Sequence, residues 1–291
     1  MRHVYPIAKN TFREAVRDRI LYVILLFAAL LMMAGVGLGW VSVGEELQVV
    51  QHFSLAGLSF FGALLAVFVG AGLVHKELEK RTVYTILSKP VRRWEFILGK
   101  YLGLGAALAV AMFGMGIAAM VFVAWSAWTA TIGTAAEIPD WTARVHWMLF
   151  LQAVVLAYVE TMVVTAIAVL FSAAASPTLS AVFTFCIYLL GQVSRTLDYM
   201  ITEFMPATES VSAVTGENLT DAVSRTYWLV KPVSVFLYYV LPDMRYFQLR
   251  NNVVYGPAPT AAEFFGAILY GAGYAAAVLL VAAIVFERKK F

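Results

Sequence analysis

The sequence predicts an all-α polytopic membrane protein with six transmembrane helices. Of its 291 residues, 62% are hydrophobic and 13% are charged, and the mean hydropathy is +0.79. A water-soluble domain has a charged fraction about twice as high. Six helices that each cross about 30 Å of hydrocarbon need about 120 residues, which leaves little sequence for a separate soluble domain. We therefore expect residues 1–291 to form one transmembrane domain.

Uninterrupted apolar stretches indicate where the six helices cross. They lie at residues 20–42, 53–74, 101–125, 147–171, 178–194 and 264–286. Segment 233–241 is also apolar, but it lies between Pro232 and Pro242 and is too short to cross as a helix, so we expect an interfacial or re-entrant piece. It belongs to a long outer loop, residues 195–263, whose aromatic content predicts a compact cap rather than a disordered linker.

The basic residues predict the orientation of the chain. Fifteen of the 21 lysines and arginines lie before the first span, between the second and third spans, or after the last span. The remaining connections carry eleven acidic residues against six basic ones. Because cytoplasmic loops are enriched in Lys and Arg, we expect both termini in the cytoplasm.

Residues 1–19 are predicted to contain an amphipathic interfacial helix. One arc, drawn at about 100° per residue, carries the apolar side chains of Val4, Ala8, Phe12, Ala15 and Val16. Beside it, basic residues recur every four positions at Lys9, Arg13 and Arg17. A helix of this kind lies at the headgroup surface. Two interpretations stay open: a membrane anchor, or an elbow that moves with a cytoplasmic partner.

The connection between the second and third spans, residues 75–100, predicts a helical hairpin on the cytoplasmic surface. Glu77 and Arg81 are four residues apart, which favours a helix continuing from the second span, and Pro90 ends it before a second short helix. A solvated connector is the simplest interpretation of such a charged segment. It does not explain the apolar residues Leu78, Ile86, Leu87, Trp94 and Phe96, which need a covering surface.

This connection resembles a known family. The order Glu77, Glu79, Thr82, Leu87, Pro90, Arg93, Gly99, Lys100 is similar to the cytoplasmic loop of ABC transporter permeases of the ABC-2 type, especially the group associated with multicopper enzyme maturation. Segments 7–14 and 241–247 support the resemblance, which covers most of the chain. No GxxxxGK[ST] phosphate loop occurs in the sequence, which fits an ATPase on another polypeptide.

The resemblance implies the membrane subunit of an ATP-driven exporter in the bacterial inner membrane. Such a subunit pairs with a second permease copy or a paralogue and with ATP-binding subunits, which hold the ATP and Mg²⁺; this chain itself has no cofactor and performs no chemistry. The hairpin would dock on the ATPase through the coupling positions Glu77, Glu79, Thr82, Pro90 and Arg93. Membrane lipid and an extracytoplasmic partner are further expected contacts, and nucleic acid is not. The substrate and the direction of transport stay open.

Glu160 is an ionisable residue near the centre of the fourth predicted span. A charged side chain there costs about 2.5 to 3.5 kcal/mol on insertion scales, so we expect it to face the bundle or a polar cavity. One interpretation is a contact in the translocation pathway or a proton-sensitive site. The other is a neutral acid that bonds to Thr161, Thr165 or a neighbouring helix.

Small residues also recur within the spans. Gly99 and Gly103 are four positions apart at the start of the third span and predict close packing against another helix, with a dimer face as the alternative.

Two other classes of function stay open. An ATP-independent carrier or membrane scaffold needs no partner ATPase, but carriers usually show internal repeats around paired charged sites, and none is clear here. An intramembrane enzyme would need a nucleophile with a base, or metal ligands, within the spans, and the sequence shows no such set.

Overall fold

The computed structural model describes residues 4–41, 46–72, 92–132, 145–192, 241–248 and 259–288, and within them the secondary structure is helical, without strands. The elements of this part of the chain are α1 (Val4–Val16), α2 (Arg19–Val41), α3 (Glu46–Ala71), α4 (Arg93–Ile132), α5 (Trp147–Ala174), α6 (Pro177–Gln192), a short 3-10 helix (Met244–Phe247) and α7 (Ala261–Arg288).

The predicted class, a polytopic helical membrane protein, is confirmed. Among the described residues, five helices are long and apolar enough to cross a membrane, namely α2, α3, α4, α5 and α7. The fifth predicted span corresponds to α6, which has 16 described residues. At 1.5 Å per residue α6 extends about 24 Å, somewhat less than the hydrocarbon thickness of about 30 Å.

The bounds of α4 differ most from the predicted spans. It is one continuous helix of 40 residues, about 60 Å long, whereas the sequence predicted a span at 101–125 with a second short helix leading into it. The helical segment expected after Pro90 is present and runs directly into the span: the backbone N–H of Phe96 already bonds to the carbonyl of Arg92 at 3.3 Å, and the ladder continues without a break. The early start follows from burial, because Phe96 and Ile97 find partners inside the protein.

The last helix also begins earlier than predicted. Its N-terminus is a capping box, in which the Thr260 N–H donates to Glu263 Oε2 at 2.8 Å and the Glu263 N–H donates to Thr260 Oγ1 at 3.3 Å. Capping satisfies backbone donors that have no intrahelical partner. This pair therefore explains why α7 starts at Ala261 although its apolar stretch starts at residue 264.

The helix α3 forms the core and packs against α2, α4 and α5. In its most apolar window 72% of the residues are buried, against 28% for α2 and 17% for α7. Close approach depends on small residues: a Cβ added at Gly70 would lie 2.8 Å from the Cβ of Ala168 on α5. The peripheral helices α2 and α7 expose most of their apolar surface, as helices that face lipid do.

The chain divides into two compact units, residues 1–185 with 247–291, and residues 186–246. The first contains α1 to α5 and α7. In the second, the Asp243 carboxylate accepts hydrogen bonds from the Arg245 backbone N–H at 3.0 Å and from Arg245 Nε at 2.8 Å, and Met244 packs against Gly191 of α6. Most of the predicted outer loop 195–263, including residues 233–240, lies outside the described residues.

Candidate functional site

Three long helices meet at one end of the first unit, which we call the base. The start of α4, the end of α5 and the end of α7 contribute a buried apolar cluster: Phe96, Ile97, Val169, Ala173, Ala282 and Phe286. The rings of Phe96 and Phe286 stack with centroids 5.7 Å apart and planes 16° apart. Stacked aromatic pairs contribute about 0.5–1.5 kcal/mol beyond their area burial. The base therefore connects the first turn of α4 firmly to the last turn of α7.

The helix α1 adds a fourth element to the base by packing on the start of α4. A Cβ added at Gly99 would lie 2.9 Å from Ile7 Cβ, and one added at Gly103 would lie 2.7 Å from Thr11 Cβ and would collide with the Ala8 carbonyl oxygen. The two glycines thus let the two helix backbones approach closely, as the sequence predicted for this spacing.

The buried side of α1 overlaps the arc expected from the sequence and also includes Thr11, a polar residue outside that arc that is fully buried. Ala15 is buried, while Val4, Ala8, Phe12 and Val16 are partly buried. The basic residues Lys9, Arg13 and Arg17 are exposed. The apolar arc is covered by α4.

Lys100 connects α4 to α1 through charge. Its side chain is 1% exposed, and its Nζ lies 3.8 Å from Glu14 Oε2 on α1 and 5.8 Å from the centroid of the Phe96 ring. An ammonium group buried in protein needs compensating interactions, and the carboxylate and the ring face both supply them. Sequence reasoning treated Lys100 as one residue of the family pattern and missed this role; Gly99 and Gly103 on either side were the available signal.

The C-terminal end of α3 also lies at the base and is bonded to α5. Ser172 Oγ on α5 donates a hydrogen bond of 2.8 Å to the carbonyl oxygen of Ala71, the last residue of α3. Gly70 packs against Ala168 one turn earlier on α5. Both flanks of the connection 73–91 therefore contact the last turns of α5: α3 through Ser172, and α4 through the apolar cluster.

The predicted coupling positions fall mostly on that connection. Glu77, Glu79, Thr82 and Pro90 lie outside the described residues. Arg93 is the first residue of α4, and its side chain is outside the described part of the structure. Their role stays a prediction.

Glu160 lies in the middle of α5 with 1% of its side chain exposed. The two hydroxyls proposed as its partners are directed elsewhere: Thr161 Oγ1 donates to the Ala157 carbonyl at 2.8 Å and Thr165 Oγ1 donates to the Thr161 carbonyl at 2.7 Å. Within the described ranges, no group of three or more His, Cys, Asp or Glu residues is arranged to hold a metal ion.

These features define a multi-pass helical membrane protein whose helices converge on a tightly packed base. The chain belongs to the ABC-2 transporter family, because the family model described as ABC-2 family transporter protein matches residues 5–291. The resemblance to ABC-2 type permeases drawn from the sequence is thereby confirmed.

Two curated relatives carry the same printed name, probable ABC transporter permease protein NosY. The one from Pseudomonas aeruginosa is 33% identical over 129 residues, 42% of this chain and 46% of the relative. The one from Stutzerimonas stutzeri is 32% identical over 129 residues, 41% of this chain and 45% of the relative. The chain thus matches a little less than half the length of these relatives.

Proposed function

We propose that this chain is the membrane permease subunit of an ATP-driven exporter and works with separate ATP-binding subunits and a second permease copy or paralogue. The observation that carries the proposal is the anchoring of both flanks of the connection 73–91 on the last turns of α5. A solvated connector needs no such anchoring. A segment that transmits force to the bundle needs anchored flanks, because a segment with free flanks would bend instead of moving the helices.

The packing at the base offers a route for that force. A displacement of the connection 73–91 would reach the first turn of α4, where the stacked rings of Phe96 and Phe286 link it to α7. The displacement would also reach α1, which contacts α4 at Gly99, Gly103 and Lys100. Because α4 is one unbroken helix about 60 Å long, it would pass the motion along the full thickness of the membrane.

The orientation is part of the proposal. The basic residues around the base favour placing both termini and the connection 75–100 in the cytoplasm, where a soluble ATPase can bind. ATP and Mg²⁺ would be bound by that partner. Glu160, buried halfway along α5, is the proposed polar contact of the translocation pathway.

Co-purification with a candidate partner ATPase, such as a Walker A protein encoded in a neighbouring reading frame where one is found, tests the docking. We expect the triple reversal Glu77→Lys, Glu79→Lys, Arg93→Glu to weaken association at least about tenfold, since like-charge contacts across an interface cost several kcal/mol. The matched control reverses charges at Glu287 and Arg288, two exposed residues at the end of α7, and should leave association unchanged. Full association of the triple variant would contradict the proposal.

A further inference from the structure

A second feature of the molecule lies away from the connection: an apolar groove between α2 and α4. Its cavity has a volume of about 340 Å³ and is lined by Leu25, Ala29 and Met32 of α2 and by Val110, Gly114 and Ala118 of α4, among others. Tyr22 supplies the one polar side chain of the lining. The proposed coupling mechanism makes no use of this groove.

The groove exists because small residues of α4 face a loosely packed helix. Ala107, Ala111, Gly114 and Ala118 line its α4 side, and a Cβ added at Gly114 would meet no heavy atom within 4 Å. The α2 helix contacts α4 much less than it contacts α3. Apolar surface that faces an empty space loses dispersion contacts, so in a bilayer an acyl chain is the natural filling.

The length of the groove matches one leaflet. From Ala107 to Ala118 the α4 wall extends about 17 Å. That is roughly half of the ~30 Å hydrocarbon core. At the end of the groove nearest the base, the lining includes Val16 and Leu21, which lie on either side of the corner between α1 and α2. The groove therefore starts at the base and ends near the middle of the membrane.

Three arginines lie close in sequence to the residues that line the end of the groove nearest the base. Arg13, Arg17 and Arg19 are exposed within a few residues of Val16 and Leu21. Of the two acidic residues nearby, Glu14 pairs with Lys100, and Asp18 Oδ1 accepts the backbone N–H of Ile20 at 3.0 Å at the start of α2. Guanidinium groups bind phosphate in a bidentate manner, which makes this corner suited to a phosphate headgroup.

We propose that the groove binds one anionic phospholipid from the leaflet that borders the base. One acyl chain fills the space between α2 and α4, and the phosphate headgroup contacts the arginines of the α1–α2 corner. This lipid site requires only that the chain spans a bilayer. The proposal therefore does not depend on the proposed ATPase partner.

Electron paramagnetic resonance of spin-labelled lipids tests the headgroup. The full chain is reconstituted in phosphatidylcholine vesicles that contain spin-labelled phosphatidylglycerol or, in parallel, spin-labelled phosphatidylcholine. We expect phosphatidylglycerol to be enriched in the motionally restricted component, and the pair Arg17→Gln, Arg19→Gln to reduce that enrichment about fivefold or more. Arg288→Gln, an exposed arginine at the end of α7, is the matched control and should leave it unchanged.

A second pair of variants tests the acyl chain. Gly114→Leu fills the groove, whereas Gly273→Leu adds the same side chain to α7, where a Cβ also meets no heavy atom within 4 Å. We expect the enrichment to disappear in Gly114→Leu and to persist in Gly273→Leu, with equal helical content by circular dichroism. Equal retention of the two lipids by the wild type, persistence in Gly114→Leu, or cross-links that place a second copy in the groove would each overturn the proposal.

Discussion

At the scale of single residues, Lys100 is the most informative side chain of the base. Its ammonium is almost fully enclosed, yet Glu14, the carboxylate nearest to it on α1, is 43% exposed. Removing the carboxylate therefore leaves a buried cation with less compensation, whereas removing the lysine leaves only a solvated acid. The two substitutions therefore lower the stability unequally, because the desolvation cost of the pair falls on the buried lysine.

This asymmetry predicts the outcome of a double-mutant cycle. We expect Glu14→Gln to lower stability by about 1 kcal/mol, a value discounted for the exposure of the acid. Lys100→Met keeps the buried stem without the charge, so Glu14→Gln should have no further effect in that background. Melting temperatures of the four purified proteins give the comparison. Equal destabilisation by Glu14→Gln in both backgrounds would show that the pair contributes nothing.

At the scale of elements, the apolar stretches predict the crossing helices because a bilayer demands continuous hydrophobicity. Three features escape that reasoning. The first turns of α4 are helical because Phe96 is buried by Phe286 of α7, a contact nearly 200 residues away in sequence. The arc on α1 is visible in the sequence, but the helix that covers it is not. The role of Lys100 needs the same tertiary contact between α1 and α4.

A pair of glycine substitutions on α4 tests the packing of α1. In Gly103→Ala the new Cβ would meet Thr11 and the Ala8 carbonyl oxygen, whereas in Gly114→Ala it meets open space. Both substitutions raise the helix propensity by the same amount, so the difference in stability between the two variants measures the effect of the contact between residue 103 and α1. We expect Gly103→Ala to be less stable than Gly114→Ala by about 1–3 kcal/mol and to expose Lys9 and Arg13 to faster trypsin cleavage. Equal cleavage rates would show that α1 does not rest on this glycine.

At the scale of the whole molecule, the proposal needs the base on the cytoplasmic side. Cys186 is the one cysteine of the sequence, so replacing it with alanine gives a background for single-cysteine labelling. In intact cells we expect a membrane-impermeant maleimide to label Ala262→Cys at the start of α7 and to leave Arg288→Cys at its end unlabelled until the cells are opened. The reverse pattern would invert the orientation and remove the proposed access of the ATPase.

In the proposed mechanism, a partner ATPase binds the connection between α3 and α4 and moves the base through it. Hydrogen–deuterium exchange of the reconstituted chain, with and without the ATPase and a non-hydrolysable ATP analogue, tests this most directly. We expect slower exchange at amides 75–100 when the ATPase is bound, a nucleotide-dependent change at the first turns of α4, and no change at residues 260–266. Unchanged exchange at 75–100 in a complex that still forms would contradict it.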